Sequence, residues 1–390
     1  MIDYSTVLSL TSELISVPSY VDDHQDETGL TELIADFLET ALPRMVVERQ
    51  YLEGSSRCNL ILKGRGEPKL LVLGHVDTVH PNEGWHTSPL TPVVQRGRLY
   101  GLGASDMKGS LAAFLWALVQ ERDTLSLDNL MLLMYVDEEY NFKGINRFIE
   151  DTKTAKIAPD MILSLDGDLE VGSGCRGLIE LKLAIRGVSG HSSNPRCGVN
   201  AIIESIEALQ DLNRELTNFV DTDLGPTTMN IAYLQGGLMQ KNPQGEIKWL
   251  REGNSIPDAA DITLEVRPSR GEVNVGLILG LIECFMEKRG LEVVETVVRH
   301  EIAPWPVVFD QKYTALLEKV YAKADLAFKK ANRKFQGYID AHLVAEKFSK
   351  PTFIIGTGGA NKHAANENVA LENLEQAASL YRTLLCEVLS

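Results

Sequence analysis

Cysteine is scarce in this 390-residue chain, and the few cysteines follow no pattern. The five of them lie far apart along the sequence, and no two form a Cys-x-x-Cys pair. Such spacing excludes a zinc finger and offers no framework for disulfide bonds. It favours a protein that works in a reducing compartment.

Long apolar runs are absent as well. No stretch of the sequence approaches the ~20 consecutive apolar residues that a membrane-spanning helix needs. The first residues also lack the basic region followed by an apolar segment that is typical of a signal peptide. We therefore predict a cytoplasmic protein that has no membrane partner.

Basic residues are outnumbered by acidic ones. The chain carries 38 Lys and Arg against 54 Asp and Glu, which gives a net charge of −16. A nucleic-acid-binding protein would need basic surface to neutralise phosphates, so we expect no nucleic-acid partner. The excess of carboxylates favours solubility and leaves some of them available to bind cations.

Length and composition describe a soluble globular protein with more than one core. Hydrophobic residues make up 44% of the chain and charged residues 24%, which is ordinary for such proteins. A chain of this length is expected to divide its core between two domains.

Short apolar runs alternate with helical patterns in the first part of the chain and again near its end. The predicted strands cover residues 59–63, 69–74, 127–136, 161–165 and 351–356, and the clearest predicted helices cover 4–16, 28–42 and 109–120. This alternation predicts an α/β domain with a mixed, mostly parallel sheet and helices on both faces.

The middle of the chain follows a different order. Its predicted elements are a strand at 178–186, a helix at 198–217, strands at 227–235 and 260–267, a helix at 271–288 and a strand at 292–302. This β-α-β-β-α-β order indicates an inserted ferredoxin-like α+β domain. We therefore predict catalytic-domain segments at 1–177 and 304–390 and an inserted domain at 178–303, in which residues 236–253 form a polar loop.

Imidazole and carboxylate side chains follow the ends of the predicted strands. They are His75, Asp77, Glu138, Glu139, Asp166 and His363. Ligands of an open parallel sheet bind at the carboxyl ends of its strands, so we expect these side chains to converge. A mixed set of His and carboxylate ligands suits Zn²⁺, Co²⁺ or Mn²⁺ better than an all-oxygen Mg²⁺ site.

The chemistry of such a site suggests how the work is divided. Two neighbouring metal ions need a bridging carboxylate, and Asp106, in the glycine-bounded turn 103–109, is the natural candidate. Asp77 is placed to accept the second imidazole N–H of His75. Of the adjacent pair Glu138 and Glu139, one can be a ligand and the other a general base.

Four motifs follow one another along the chain. They are His-x-Asp-Thr-Val at 75–79, Gly-x-x-Asp-Met-Lys-Gly at 103–109, Asp-Glu-Glu at 137–139, and a late Gly-Gly pair followed by His363. In this order they resemble the motifs of the M20 family of co-catalytic metallohydrolases. The resemblance covers essentially the whole chain. It implies a catalytic α/β domain interrupted by a lid and dimerisation domain, and thus a homodimer.

The same resemblance implies two metal ions that share one ligand. The first would be held by His75, Asp106 and Asp166, and the second by Asp106, Glu139 and His363. Glu138 would be the general base, and Asp77 would support His75. Zn²⁺ is the favoured metal, with Co²⁺ or Mn²⁺ as alternatives. Many relatives carry Gly-Glu-Pro-Thr where this chain has 165–168, so Asp168 stays a competing third ligand.

Further positions resemble the family's substrate-binding residues. His191, within 186–193, matches the lid histidine that reaches the substrate carbonyl held by a partner chain. Asn254 matches the family's Asn-x-Ile-Pro segment, and Arg267 matches an arginine that receives a substrate carboxylate, a task that suits a guanidinium. Asp340 also fits the family pattern, whereas nearby His342 is predicted to lie on a helix surface. An ordinary helix entry at His191 and a solvated strand arginine at 267 remain the alternatives.

The expected function is hydrolysis of an amide bond in a small N-acyl amino acid by a water that bridges two metal ions. Di- or tripeptidase or carboxypeptidase activity is the alternative within the same chemistry. A non-catalytic metal-binding module is the alternative from another class. The presence of Glu138 favours the enzyme, because a module that only binds metal has no need of a base.

Overall fold

A computed structural model describes residues 2–151, 156–243, 247–250 and 252–390 of the chain. These residues divide into two units. The first unit comprises Met1–Ser173, Val308–Ala331 and Ile339–Ser390, and the second comprises Gly174–Val307 and Asn332–Tyr338. The domain boundaries given above stay a prediction.

The first unit contains most of the helices. They are α1 (Val7–Ser16), α2 (Thr28–Ala41), α3 (Lys108–Glu121), α4 (Lys143–Glu150), α7 (Gln311–Lys323), α8 (Ala341–Phe348) and α9 (Leu371–Leu389). Its strands are β1 (Val46–Tyr51), β2 (Cys58–Lys63), β3 (Leu70–His75), β4 (Val93–Gln95), β5 (Arg98–Tyr100), β6 (Leu130–Tyr135), β7 (Met161–Ser164), β15 (Thr352–Ile354) and β16 (Asn368–Ala370).

The second unit contains the remaining elements. They are β8 (Leu178–Arg186), α5 (Ala201–Leu216), β9 (Val220–Asp221), β10 (Gly225–Pro226), β11 (Thr228–Lys241), β12 (Ile247–Leu250), β13 (Ala259–Arg267), α6 (Val275–Glu287) and β14 (Glu292–Ile302). A short 3₁₀ helix, Pro195–Cys197, precedes α5.

The main sheet of the first unit has the strand order β1-β2-β6-β3-β7-β15. Strands β6, β3, β7 and β15 are parallel neighbours, while β1 and β2 are antiparallel additions at one edge. The carboxyl ends of the four parallel strands therefore lie along the same edge of the sheet. A separate small sheet joins β4, β5 and β16.

Both faces of the main sheet are buried, which explains the uninterrupted apolar runs of its central strands. Every residue of β3 and of β6 is buried. One face belongs to a large core shared with α1, α2, α3, α7 and α9. The other face, with Leu71, Leu73 and Leu133, is also buried. Helices α4 and α8 contact each other and lie outside that core, and α4 also contacts β2 of the sheet. Helices therefore lie on both faces, as predicted.

The second unit is an antiparallel sheet in the order β12-β11-β13-β8-β14 with two helices. Its core residues alternate along the strands, and the buried side chains of β13 face α5 and α6. Strand order, antiparallel pairing and the element sequence agree with the predicted ferredoxin-like arrangement. The fold class predicted from the sequence is thus confirmed.

The predicted loop at residues 236–253 was wrong for most of its length. Strand β11 continues to Lys241 and pairs with β12, with Leu238 opposite Leu250. Residues 244–246 and 251 of that segment lie outside the described part of the chain. The pairing was missed because β12 is half-buried or exposed on both sides, so its sequence carries no apolar alternation.

None of the helices in the described residues combines the length and the apolar character that crossing a bilayer requires.

Candidate metal centre

The side chains that follow the parallel strands converge at their carboxyl edge. His75 is the last residue of β3, Glu138 and Glu139 follow β6, and Asp166 follows β7. His363 lies in the loop after β15. Three groups have ligand atoms within 4.8 Å of one another: His75, Asp106 and Asp166; His75, Glu138 and Glu139; and Asp106, Glu139 and His363.

Asp106 links two of these groups through different oxygens. Its Oδ1 lies 3.2 Å from Nε2 of His75. Its Oδ2 lies 3.5 Å from Nε2 of His363 and 3.7 Å from Nζ of Lys362. The Asp106 side chain is buried. A single carboxylate thus faces both imidazoles.

Asp77 connects His75 to the segment after β6. Nδ1 of His75 lies 3.1 Å from the main-chain oxygen of Asp77 and 3.5 Å from its Oδ1. The other carboxylate oxygen of Asp77 accepts a hydrogen bond of 2.9 Å from the amide of Glu139. The ring of His75 is therefore held on its Nδ1 side, which leaves Nε2 directed at Asp106.

Adjacent Glu138 and Glu139 have different surroundings. Oε1 of Glu139 lies 3.0 Å from Nε2 of His363 and belongs to the group that contains Asp106. Glu138 groups with His75 and Glu139, but with neither Asp106-containing set. This geometry fits Glu139 as a ligand and Glu138 as a group beside the ligands, and both roles stay predictions.

The centre concentrates negative charge in a buried space. Burial raises the pKa of Glu138 well above its usual range, and the nearby charge of Asp340 raises it further. Burial likewise raises the pKa of Glu139. Burial also opposes ionisation of Asp106, but Lys362, His363 and His75 outweigh it and hold that pKa well below its ordinary value.

These features fit divalent cations. Each Asp106-containing group combines an imidazole with carboxylates, the donor set that Zn²⁺, Co²⁺ and Mn²⁺ accept. Buried carboxylates require countercharge, and a cation close to several of them supplies it. The donor set and its charge therefore match the two-metal expectation.

The two aspartates that competed for the third ligand position differ in their surroundings. Asp166 belongs to the group with His75 and Asp106. Asp168 is exposed and, among the described residues, belongs to no such group. The geometry therefore favours Asp166.

Two consecutive glycines bring the His363 loop against the Asp106 loop. Gly358 and Gly359 have φ angles of 59° and 150°, which favour glycine. A Cβ on Gly359 would lie 2.4 Å from Oγ of Ser105, the neighbour of Asp106. A side chain at Gly359 would therefore push the two loops apart.

Glu367 fixes the Asp106 loop, and the sequence reasoning missed it. Its carboxylate accepts hydrogen bonds of 2.8 Å from the amides of Gly103, Ser105 and Asp106. Glu367 is only 2% exposed, and burial raises its pKa to about 7 although these backbone donors oppose the shift. Its partners are backbone amides more than 260 residues away, so no side-chain pattern in the sequence could reveal them.

The predicted substrate-binding residues of the inserted region lie in the second unit. Nδ1 of His191 contacts the Ser193 hydroxyl at 2.8 Å, and His191 forms a backbone bridge with Ser255, next to Asn254. Arg267 makes a two-point ion pair with Glu265, with N–O distances of 2.8 and 3.0 Å. The roles assigned to these residues stay predictions.

Two predicted positions near α8 belong to the first unit. Asp340 is buried just before this helix, and its charge acts on Glu138. His342, expected on a helix surface, is only 5% exposed, so that expectation was wrong. The surface prediction failed because it judged α8 alone, whereas α8 packs against α4.

Comparisons with known proteins show the family to which the chain belongs. The profile of peptidase family M20/M25/M40 matches residues 71–387. Acetylornithine deacetylase from Proteus mirabilis is 34% identical over 280 residues, which cover 68% of each chain. Succinyl-diaminopimelate desuccinylase from Halorhodospira halophila is 27% identical over 407 residues, which cover 99% of each chain.

Solved structures share the fold. A tripeptidase from Staphylococcus aureus superposes with a TM-score of 0.80 at 20% identity, covering 100% of this chain and 99% of that one. A dinuclear metal-binding M20 peptidase from Bacillus subtilis has a TM-score of 0.66 at 17% identity, covering 99% and 97%. The chain belongs to peptidase family M20/M25/M40 and is a hydrolase of that family.

Replacement of Glu367 should weaken metal binding. Glu367→Gln keeps one acceptor oxygen but turns an N–H toward an amide donor, so the Asp106 loop loses part of its anchor. We expect metal affinity to fall about tenfold, and further in Glu367→Ala. Competition with a chromophoric chelator, well below the melting temperature of each variant, measures this.

The exposed Glu375→Gln on α9 is the matched control and should bind metal like the wild type. If both Glu367 variants bind metal as tightly as the wild type, Glu367 does not support metal binding. A lower melting temperature in those variants would then show only a role in stability.

Proposed function

We propose that the chain is a two-metal amidohydrolase that cleaves a small N-acyl amino acid. The observation that carries this proposal is the position of Asp106. Its carboxylate faces the donor groups of both imidazoles, while Glu138 stands beside them outside both Asp106-containing groups. The deacetylase and desuccinylase relatives support the substrate class.

Two sets of residues would hold the metal ions. His75, Asp106 and Asp166 would hold one, and Asp106, Glu139 and His363 the other. When bound, divalent metals supply Lewis acidity and lower the pKa of water. Zn²⁺ is our first choice, with Co²⁺ or Mn²⁺ as alternatives.

Glu138 would move the proton during the reaction. Its carboxylate is close to the ligands, so it can accept a proton from the attacking water and return it to the leaving amine. Asp77 would keep His75 in one orientation through the contacts on its Nδ1 side.

The second unit would supply the groups that recognise the substrate. Arg267 would bind the free carboxylate, and Asn254 would orient the substrate. Asp340, which belongs to the first unit, would also orient it. We further propose a homodimer in which His191 of one chain stabilises the oxyanion that forms at the centre of the other.

Peptide hydrolysis is the second candidate, because the tripeptidase from Staphylococcus aureus shares the fold over the whole chain. A panel of substrates distinguishes the two. Metal-loaded protein is incubated with N-acetyl amino acids, N-succinyl amino acids, dipeptides and tripeptides, and the released amine is quantified. Faster release from acyl amino acids supports the first proposal, and faster release from peptides supports the second. Release from none would leave a non-catalytic metal-binding module.

Glu138→Gln should separate metal binding from catalysis. The amide has nearly the same shape as the carboxylate but cannot accept the proton. We expect kcat on the best panel substrate to fall at least about a hundredfold, while the variant still binds both metal ions. Turnover close to that of the wild type would contradict the mechanism, and the exposed Glu150→Gln serves as control.

Removal of the ion pair between Arg267 and Glu265 should strengthen the binding of substrates that carry a carboxylate. A partly exposed ion pair is worth up to ~1 kcal/mol, so Glu265→Gln should lower KM for carboxylate substrates by a factor of about three to five. KM for the corresponding amidated substrates should not change. Glu180→Gln, which breaks the Arg299 pair on the same sheet, is the matched control. Equal shifts for both substrate types would argue against Arg267 as the carboxylate site.

A further inference from the structure

Lys362 introduces a positive charge into one of the two metal-ligand groups. Its Nζ lies 3.3 Å from Oδ1 of Asp166 and 3.7 Å from Oδ2 of Asp106. These carboxylates, together with His75, form the first ligand group. The ammonium therefore neutralises carboxylates that would hold a metal ion.

The loop after β15 directs two neighbouring side chains to different parts of the centre. His363 reaches Glu139 and Asp106, whereas Lys362 reaches Asp166 and Asp106. The loop is held at His363, whose main-chain oxygen accepts a hydrogen bond of 2.8 Å from Asn82. Both residues thus approach the shared Asp106, but only Lys362 contacts Asp166 and only His363 contacts Glu139.

We propose that Lys362 is a built-in competitor for the first metal position and makes the two positions load unequally. This inference rests on the proposed function, in which both groups bind divalent metal ions. The group of Asp106, Glu139 and His363 binds its ion tightly. The group of His75, Asp106 and Asp166 binds its ion more weakly.

The physical reason lies in what each side chain can do. Deprotonated imidazole offers a lone pair to a metal, so His363 becomes a ligand. A protonated lysine has three donors and no acceptor, so it repels the ion and occupies the same carboxylates. For a metal ion to bind at Asp166, the ammonium has to withdraw. The Lys362 side chain is 36% exposed, which leaves it a route toward solvent.

The asymmetry follows from the contacts of Lys362. Within the described residues its ion pairs involve Asp106 and Asp166, and Glu139 is not among them. Asp106 is common to both groups, so part of the repulsion reaches the second ion. Asp166 belongs to the first group alone, and for this reason the first position is weakened more.

A metal titration of Lys362→Met tests the proposal without using activity. Zn²⁺ is titrated against a chromophoric chelator, and Co²⁺ absorption follows the filling of the two positions. The wild type should show one tight and one weak dissociation constant. In Lys362→Met the larger dissociation constant should fall about tenfold or more, because a single neighbouring charge changes a binding equilibrium by at least about tenfold. The tight constant should change less.

Three further variants sharpen the test. Lys362→Gln also removes the charge but keeps a polar side chain, so its metal affinities should match those of Lys362→Met. It replaces Lys362→Met in the test if that variant does not fold. Lys362→Arg keeps the charge and should restore the weak constant. Lys347→Met, at an exposed position of α8, should bind metal like the wild type.

The outcomes separate this inference from the proposed function. Two equally tight ions in the wild type, or neutral variants with wild-type constants, would overturn the role of Lys362 and leave the two-metal function intact. A wild type that binds no divalent ion at either position would overturn both.

Discussion

The contacts of the Asp106 carboxylate with two histidines hold the centre together. Its two oxygens face two imidazoles from distant parts of the chain, His75 at the end of β3 and His363 after β15. Its backbone is held in turn by Glu367, which lies four residues beyond His363. Glu367 therefore holds the backbone of Asp106, while His75 and His363 contact its side chain.

The fold brings the candidate ligand side chains together, and their low exposure to water favours the binding of cations. Four parallel strands end along one edge of the sheet, and His75, Glu138, Glu139 and Asp166 lie at or just after the ends of three of them. His363 is brought to the same edge by the loop after β15, and Asp106 by the turn before α3. Helices cover both faces of the sheet, and the carboxylates at that edge have little contact with water. Carboxylates with little exposure to water need countercharge, and divalent cations would supply it at this edge.

Much of this arrangement could be predicted from the sequence, because strand ends and ligand types both leave local signals. Four of the predicted ligands follow apolar runs: His75, Glu139, Asp166 and His363. Because the carboxyl ends of parallel strands lie along one edge of a sheet, these residues are expected to meet there. Glu367 could not be found in this way, since it binds backbone amides. The β11–β12 pairing was missed because β12 is half-buried or exposed and carries no apolar alternation. The burial of His342 was missed because the sequence of α8 does not show that other elements, such as α4, pack against this helix.

The central claim is that one carboxylate serves two metal positions, and a metal titration of Asp106→Asn tests it most directly. The amide keeps the size of the side chain but loses the charge that both positions share. The account predicts that both dissociation constants weaken by about tenfold or more, in a protein that melts as a folded domain. One ion retained with its wild-type constant would contradict the claim.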